Sequence, residues 1–244
     1  MSFLITAFNT VLYQPLFNVL VLLYQYLPGH DFGVAVIVLT ILVKVVFLPL
    51  GIKAIKSQRA LSEIQPKVKE IQDKYKSDKA RQTKEIMDLY KREKISPFSG
   101  CLPLLVQLPV LLALYRVFWR GLQSTQLSLL YGSVLVPESI DPNFFGLVDL
   151  SQPNWILAIL AGIFQFFQVK MLSPKMKGSK KEQGFSGAMQ KQMQYFFPIL
   201  TVLILFRLPS AIGLYWLTTT LFTVIQQYII FKKPKHDNRE VATS

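Results

Sequence analysis

Residues 31–52, DFGVAVIVLTILVKVVFLPLGI, carry one positive charge, Lys44, inside a run that is otherwise apolar after Asp31. About twenty apolar residues, rising ~1.5 Å each as a helix, cover the roughly 30 Å hydrocarbon core of a bilayer. On such a helix Lys44 lies roughly 12 Å from the Ile52 end and roughly 18 Å from the Phe32 end. A lysine stem of about 6 Å does not bring the ammonium fully into bulk water from that depth. An intramembrane charge is costly and faces a partner or a wet cavity. No Asp or Glu lies in any clear span, so the expectation is a hydrated groove open toward the cytoplasm, with Lys44 at its inner end.

The rest of the 244 residues fits a polytopic membrane protein: 51% are hydrophobic and the mean hydropathy is positive. The net charge of +13 falls in three blocks between apolar runs, the pattern of loops kept on the cytoplasmic side, so nucleic acid is not implied. A single cysteine, Cys101, excludes a disulfide framework.

Residues 4–27 are long enough to span, but Asn9, Gln14, Pro15 and Asn18 interrupt them and no Lys or Arg precedes Lys44. An interfacial helix on the outer surface is favoured, with Tyr13, Tyr24 and Tyr26 at headgroup level. A sixth span or an uncleaved anchor is the alternative. Residues 53–94 hold thirteen basic and seven acidic side chains. Leu61, Ile64, Val68, Ile71 and Tyr75 repeat at three and four residues, a coiled-coil-like seam. A turn at Lys76-Ser77-Asp78 and a second stripe through Thr83, Met87 and Tyr90 complete an antiparallel hairpin, and Pro66 reads as a helix restart. The hairpin is also expected to offer a contact surface, through Leu61, Ile64, Val68, Ile71, Tyr75 and Tyr90.

Residues 97–119 return outward, with Gln107 between Pro103 and Pro109, and end at Arg116 and Arg120 against the charge rule. The loop over 121–153 has no Lys or Arg and belongs outside. Residues 155–172 span inward with Gln165 and Gln168 on one face, before a basic loop over 173–193. Residues 195–208 need the preceding residues to span. Residues 211–231 carry Trp216, Thr219, Thr220, Thr223 and Gln227 on one stripe, and a basic tail follows. The expectation is an all-α protein of five transmembrane helices around the groove, with its amino end outside. Its parts are an interfacial helix over 1–30, a core over 31–232 with the hairpin at 54–95, and a tail over 233–244.

The groove candidates are Lys44, Thr40, Gln107, Gln165, Gln168, Trp216, Thr219 and Thr223. Any one glutamine serves equally as interhelical glue, but glue does not require a charge. Catalysis has little support: there is no H-E-x-x-H, G-x-S-x-G or paired intramembrane aspartate. No cofactor, metal or small-molecule substrate is expected. A transporter would show inverted repeats, and none is clear; a purely structural assembly factor would not need a wet groove.

A set of short motifs then points to a known family. They are Thr40-Ile41-Leu42-Val43-Lys44 with Leu48-Pro49-Leu50; Gln65-Pro66-Lys67; Leu89-Tyr90-Lys91; Pro97-Phe98-Ser99-Gly100-Cys101-Leu102-Pro103; Gln107-Leu108-Pro109; Gln168-Val169-Lys170-Met171; Pro209-Ser210-Ala211; Leu214-Tyr215-Trp216; and Gln226-Gln227. In order and spacing they resemble the YidC/Oxa/Alb membrane protein insertases, in the bacterial form without a large periplasmic domain. The resemblance implies five helices enclosing a hydrophilic groove, closed on the outer side, and a mobile cytoplasmic hairpin. It implies insertion and folding of nascent membrane proteins in the bacterial inner membrane, alone or beside the Sec translocon and the translating ribosome. The basic groove residue, usually arginine, falls on Lys44, and other groove positions fall on Gln168 and Trp216. Lysine keeps the charge without the bidentate fork, so a specific carboxylate clamp is not implied. The short tail is a poor match to the longer ribosome-binding tails of many members.

Overall fold

The computed structural model describes residues 2–96, 102–120, 130–132, 134, 137, 139–172 and 192–232. The Pro97-to-Cys101 motif, the basic loop over 173–191 and the tail from 233 lie outside the described residues. Prolines set the irregular points of the amino-terminal segment, where α1 (Ser2–Phe8) passes through a π turn (Asn9–Tyr13) into α2 (Gln14–Tyr26). Pro15 has no N–H and its ring crowds the carbonyl four residues back, so the chain widens just before it. The same device recurs before Pro198, where a π turn (Gln192–Phe196) leads into a later helix. From Ile5 to Tyr26 the chain is 22 residues long and apolar enough to cross a membrane.

The charged apolar run is not one straight helix. α3 (Phe32–Val46) ends at Phe47, and α4 (Leu48–Lys74) leaves at an angle of 71°. Pro49, in the first turn of α4, cannot donate to the carbonyl of Val45, which breaks the ladder there. This corrects the expectation of a single helix to Ile52: Lys44 lies in the last turn of α3, two residues before its end. A second correction concerns Pro66, which sits inside α4 rather than at a restart. The residue is exposed, so its ring stands in solvent and displaces no packed neighbour. Asp78 caps α5 (Lys79–Arg92) through a bond from the Arg81 N–H at 2.9 Å, and so closes the hairpin at the expected turn. Ala54, Ile55, Ile64 and Val68 are the buried residues of α4 and Leu89 that of α5, and Lys67 joins Glu93 at 2.5 Å across their open end.

The remaining helices are α6 (Leu102–Arg120), α7 (Trp155–Leu172), α8 (Phe197–Leu205) and α9 (Ser210–Lys232). Among the described residues, α7 is the second helix long and apolar enough to cross alone, and the bent pair α3 and α4 counts as one more. α9 is the central element, packed on α7 and α3, while α7 packs on α8 through Gly162. At Gly162 a Cβ would overlap Val202 and lie 3.3 Å from the Pro198 carbonyl.

One end of the bundle is tied by a loop. Strands β1 (Asn143–Phe144) and β2 (Val148–Asp149) form a minimal antiparallel hairpin that the sequence did not announce. Phe144 lies over Gly33, the Leu150 carbonyl accepts from Ala211 N–H at 3.0 Å, and the Gln152 carbonyl accepts from Ser210 N–H at 2.9 Å. The starts of α3, α7 and α9 therefore share this end. The opposite end holds the root of the α4–α5 hairpin, where the Ser62 hydroxyl donates to the Leu172 carbonyl at 2.6 Å and Arg59 lies 4.9 Å over the Phe231 ring.

The amino-terminal segment meets the loop end along its length. Arg116 donates to Asn9 Oδ1 at 2.8 Å and lies 4.9 Å over the Tyr13 ring; Asn18 Oδ1 accepts from Tyr131 N–H at 2.7 Å; the Tyr24 hydroxyl accepts from Asp141 N–H at 3.0 Å. These bonds explain the polar interruptions of an apolar run. They also give Arg116 a partner despite its awkward position. Arg116→Ala is expected to loosen the segment by about 2 kcal/mol, the worth of one charged hydrogen bond and part of a cation–π contact. Hydrogen exchange should then rise over residues 5–20 but not in α9, and Arg116→Lys should restore little of the stacking.

Candidate functional site

A helix in the middle of a bundle can reach several neighbours, and α9 sends one polar contact to each of three. Tyr215 accepts from Gln107 of α6; the Trp216 indole N–H donates to Gln165 Oε1 of α7 at 3.1 Å; Thr223 Oγ1 accepts from Lys44 Nζ of α3 at 3.1 Å. Tyr215 and Trp216 lie about 8 Å along α9 from Ser210, and Thr223 lies about 20 Å along it. The polar seam therefore runs lengthwise through much of the bundle. Lys44 lies toward the hairpin end and Gln107 toward the loop end.

Thr40, Thr220 and Thr223 use their hydroxyls in the same way. Thr40 donates to the Val36 carbonyl at 2.6 Å, Thr220 to Trp216 at 2.8 Å and Thr223 to Thr219 at 2.8 Å, each back along its own helix. A hydroxyl that donates backward keeps its oxygen as an acceptor, which is how Thr223 receives Lys44. Thr40 is buried, so its side chain is spent on its own backbone and lies away from any open surface. Gln168 and Thr219 are half-buried. Among the described residues, no carboxylate forms an ion pair with Lys44 and no three metal-ligating side chains cluster. One turn beyond Thr223, Gln227 is 0% exposed, and neither of its amide atoms has a hydrogen-bond partner among the described residues.

Beside the seam lies an apolar cleft of about 310 Å³ between α6, α8 and α9. Leu111, Leu112 and Tyr115 line it from α6, Ile204 and Leu205 from α8, and Trp216 from α9. Trp216 thus has its ring in an apolar space and its N–H on a glutamine, at the junction of the two surfaces. The cleft and Tyr215 are the features that residue types alone did not mark. The Leu214-Tyr215-Trp216 motif is their only trace in the sequence.

The hairpin residues divide differently. Ile64 and Val68 are buried, while Leu61, Ile71, Tyr75 and Tyr90 are half-buried. Burial raises the pKa of the Tyr90 hydroxyl. Met87 and the basic side chains of α5 face outward.

Residues 22–238 match the family model described as 60Kd inner membrane protein. The chain belongs to this family. Its members include the insertases that the motifs resemble: a "Membrane protein insertase YidC" of Fusobacterium nucleatum is 36% identical over 203 residues, 83% of this chain and 87% of that one. Another of that name, from Oceanobacillus iheyensis, is 34% identical over 211 residues, covering 84% and 76%. A third, from Syntrophus aciditrophicus, is 35% identical over 222 residues, 90% of this chain but 36% of its own length. This member of the 60Kd inner membrane protein family is thus a helical bacterial inner-membrane protein. It spans most of the shorter relatives and about a third of the longer one.

Proposed function

We propose that the protein is a membrane protein insertase and chaperone that handles a nascent segment on two surfaces at once. The polar flank of the segment enters the seam beside Lys44 from the cytoplasm, while its apolar span rests in the cleft between α6 and α8 and passes into lipid. The observation that carries this reading is Trp216, which borders both surfaces. Among the described residues the buried amide of Gln227 has no hydrogen-bond partner and the charge of Lys44 no opposite charge, which supports a seam that takes up water, since leaving such groups dry is costly. A wet seam lowers the cost of carrying polar backbone partway across, and transfer of about twenty apolar residues to lipid supplies the drive without a nucleotide.

In this reading five helices span: α3, α6, α7, α8 with its preceding π turn, and α9. The amino terminus is outside and the carboxyl terminus cytoplasmic. The amino-terminal segment lies across the outer face, although it is long enough to span. Supporting this, Asn9, Asn18 and Tyr24 are spread over about 22 Å of helix, yet their partners Arg116, Tyr131 and Asp141 all belong to the loop end of the bundle. The α4–α5 hairpin receives substrate or the targeting machinery, and the Sec translocon and translating ribosome are the partners this role calls for.

The test is photo-crosslinking in membranes from a probe at Gln168, with ribosomes stalled on a single-span membrane protein and Val46, 72% exposed on α3, as the control. A nascent-chain adduct at Gln168 but not at Val46 is the expected result. No adduct at any chain length overturns the reading and favours a transporter or an assembly factor.

A further inference from the structure

The hairpin of β1 and β2 turns on Phe145-Gly146, both at positive φ, 50° and 65°, and closes through the Leu147 N–H on the Phe144 carbonyl at 3.0 Å. In this three-residue loop, 145–147, the first position lies in the left-handed region that asparagine, aspartate or glycine adopt readily, and a bulky aromatic is strained there. Folding offers little return for that strain. The Phe145 ring touches Phe144 at 4.6 Å between centroids yet stays 67% exposed, and Leu147 beside it is 85% exposed. Phe144, by contrast, fills the space over Gly33. A strained, exposed apolar tip on a firmly seated base marks a contact made elsewhere.

The base is seated by one carboxylate. Asp31 Oδ1 caps α3 through the Val34 N–H at 2.8 Å, and Oδ2 accepts from the Phe145 N–H at 2.5 Å. The tip is thereby tied to the first turn of α3.

We propose that Phe145 and Leu147 insert into the outer leaflet of the bilayer and anchor the outer end of α3 there. Three observations select lipid as the occupant. Residues 143–148 carry no charge; the carboxylates around them are taken up by N–H groups, Asp31 by Val34 and Phe145, Asp141 by Asn143 and Asp149 by Ser151. Tyr26, Trp119 and Trp155, all exposed, end α2 and α6 and begin α7 at this same end of the bundle, so the tip continues an aromatic belt of the kind found at headgroup level. Two side chains are also far short of the roughly 1,600 Å² of a stable protein interface, whereas a lipid surface accepts a small apolar wedge.

The test uses the full chain with Cys101→Ser and Leu147→Cys, labelled at residue 147 with an environment-sensitive fluorophore, in vesicles of phosphatidylethanolamine and phosphatidylglycerol and in native membranes. The expected result is quenching by lipids carrying a nitroxide near the headgroup, with loss of quenching by aqueous iodide. Adding Phe145→Asp should reverse that preference. Quenching by iodide alone overturns the proposal. So does an unchanged pattern in the Phe145→Asp chain, and so does protection from both quenchers in native membranes that disappears in vesicles, which would make the occupant a protein.

Discussion

Insertion of a single-span substrate with an acidic flank is expected to fall at least about tenfold in Lys44→Glu, while a neutral-flank substrate loses far less. The reason is electrostatic and local. Lys44 Nζ has Thr223 at 3.1 Å and no carboxylate among the described residues, so an acidic side chain entering the seam meets an unneutralised cation. At an effective dielectric of about 20, unit charges ~4 Å apart interact by about 4 kcal/mol. Reversing the sign changes attraction into repulsion, and even about a third of that interaction is a factor of ten. Lys44→Met separates charge from packing: it keeps the stem and leaves the Thr223 bond to Thr219 intact. It should fall between wild type and Lys44→Glu, and Lys44→Arg should insert at least as well as wild type. Protease protection of the translocated flank is the measurement. Equal insertion of both substrates by Lys44→Glu would remove the attraction from the mechanism.

The second large effect is on stability. Gly162 is where α7 meets α8, and a valine there has no room: its Cβ alone would overlap Val202 and crowd the Pro198 carbonyl. The Val202 methyl sits on a short, stiff β-branched side chain that cannot swing clear, so the two helices must separate, at about 3 kcal/mol by analogy with overpacked cores. Helices in lipid associate through close packing of small residues rather than through a hydrophobic drive, which makes such a site hard to compensate. Gly162→Val is expected to lower the thermal midpoint in detergent markedly, as read by loss of the monodisperse peak on size exclusion after heating. Gly213→Ala, where the added Cβ would make an ordinary 3.6 Å contact with Leu157, should change it little.

Where one strong local signal decided an element, the sequence was sufficient. α7 is legible from Trp155 to Leu172 because apolar residues end abruptly at a proline-containing loop and a basic block. The hairpin turn was legible in Lys76-Ser77-Asp78 because an aspartate there has one good use, capping α5. The bend at Phe47 is not legible from Leu48-Pro49 alone. Hydropathy continues smoothly through it, and only the lost Val45 carbonyl partner marks the break. Pro66 misled in the opposite sense: an exposed proline is tolerated in a long helix whose seam, Ile64 and Val68, continues on both sides. For the site, residue type pointed to the members but not to their pairing. Lys44 and Thr223 stand out as polar groups in apolar runs, yet that Gln107 meets Tyr215 and Gln165 meets Trp216 depends on the rotation of each helix, which periodicity leaves open. Asn9 and Asn18 looked like blemishes because their partners lie more than a hundred residues away in the chain.

The bend at Phe47 makes α4 a lever. Its 27 residues extend about 40 Å from the fulcrum, so a tilt of roughly ten degrees would sweep the far end by about 7 Å. Lys44, one turn to the other side, would shift by less than about 1 Å. Partway along the arm, the Ser62 hydroxyl on Leu172 and the Arg59 guanidinium on Phe231 act as a latch. Breaking both would cost about 2 kcal/mol, in addition to the packing of Ala54 and Ile55 nearer the fulcrum. A chain that competed for either contact would free the arm to move while the charged end of α3 kept its station.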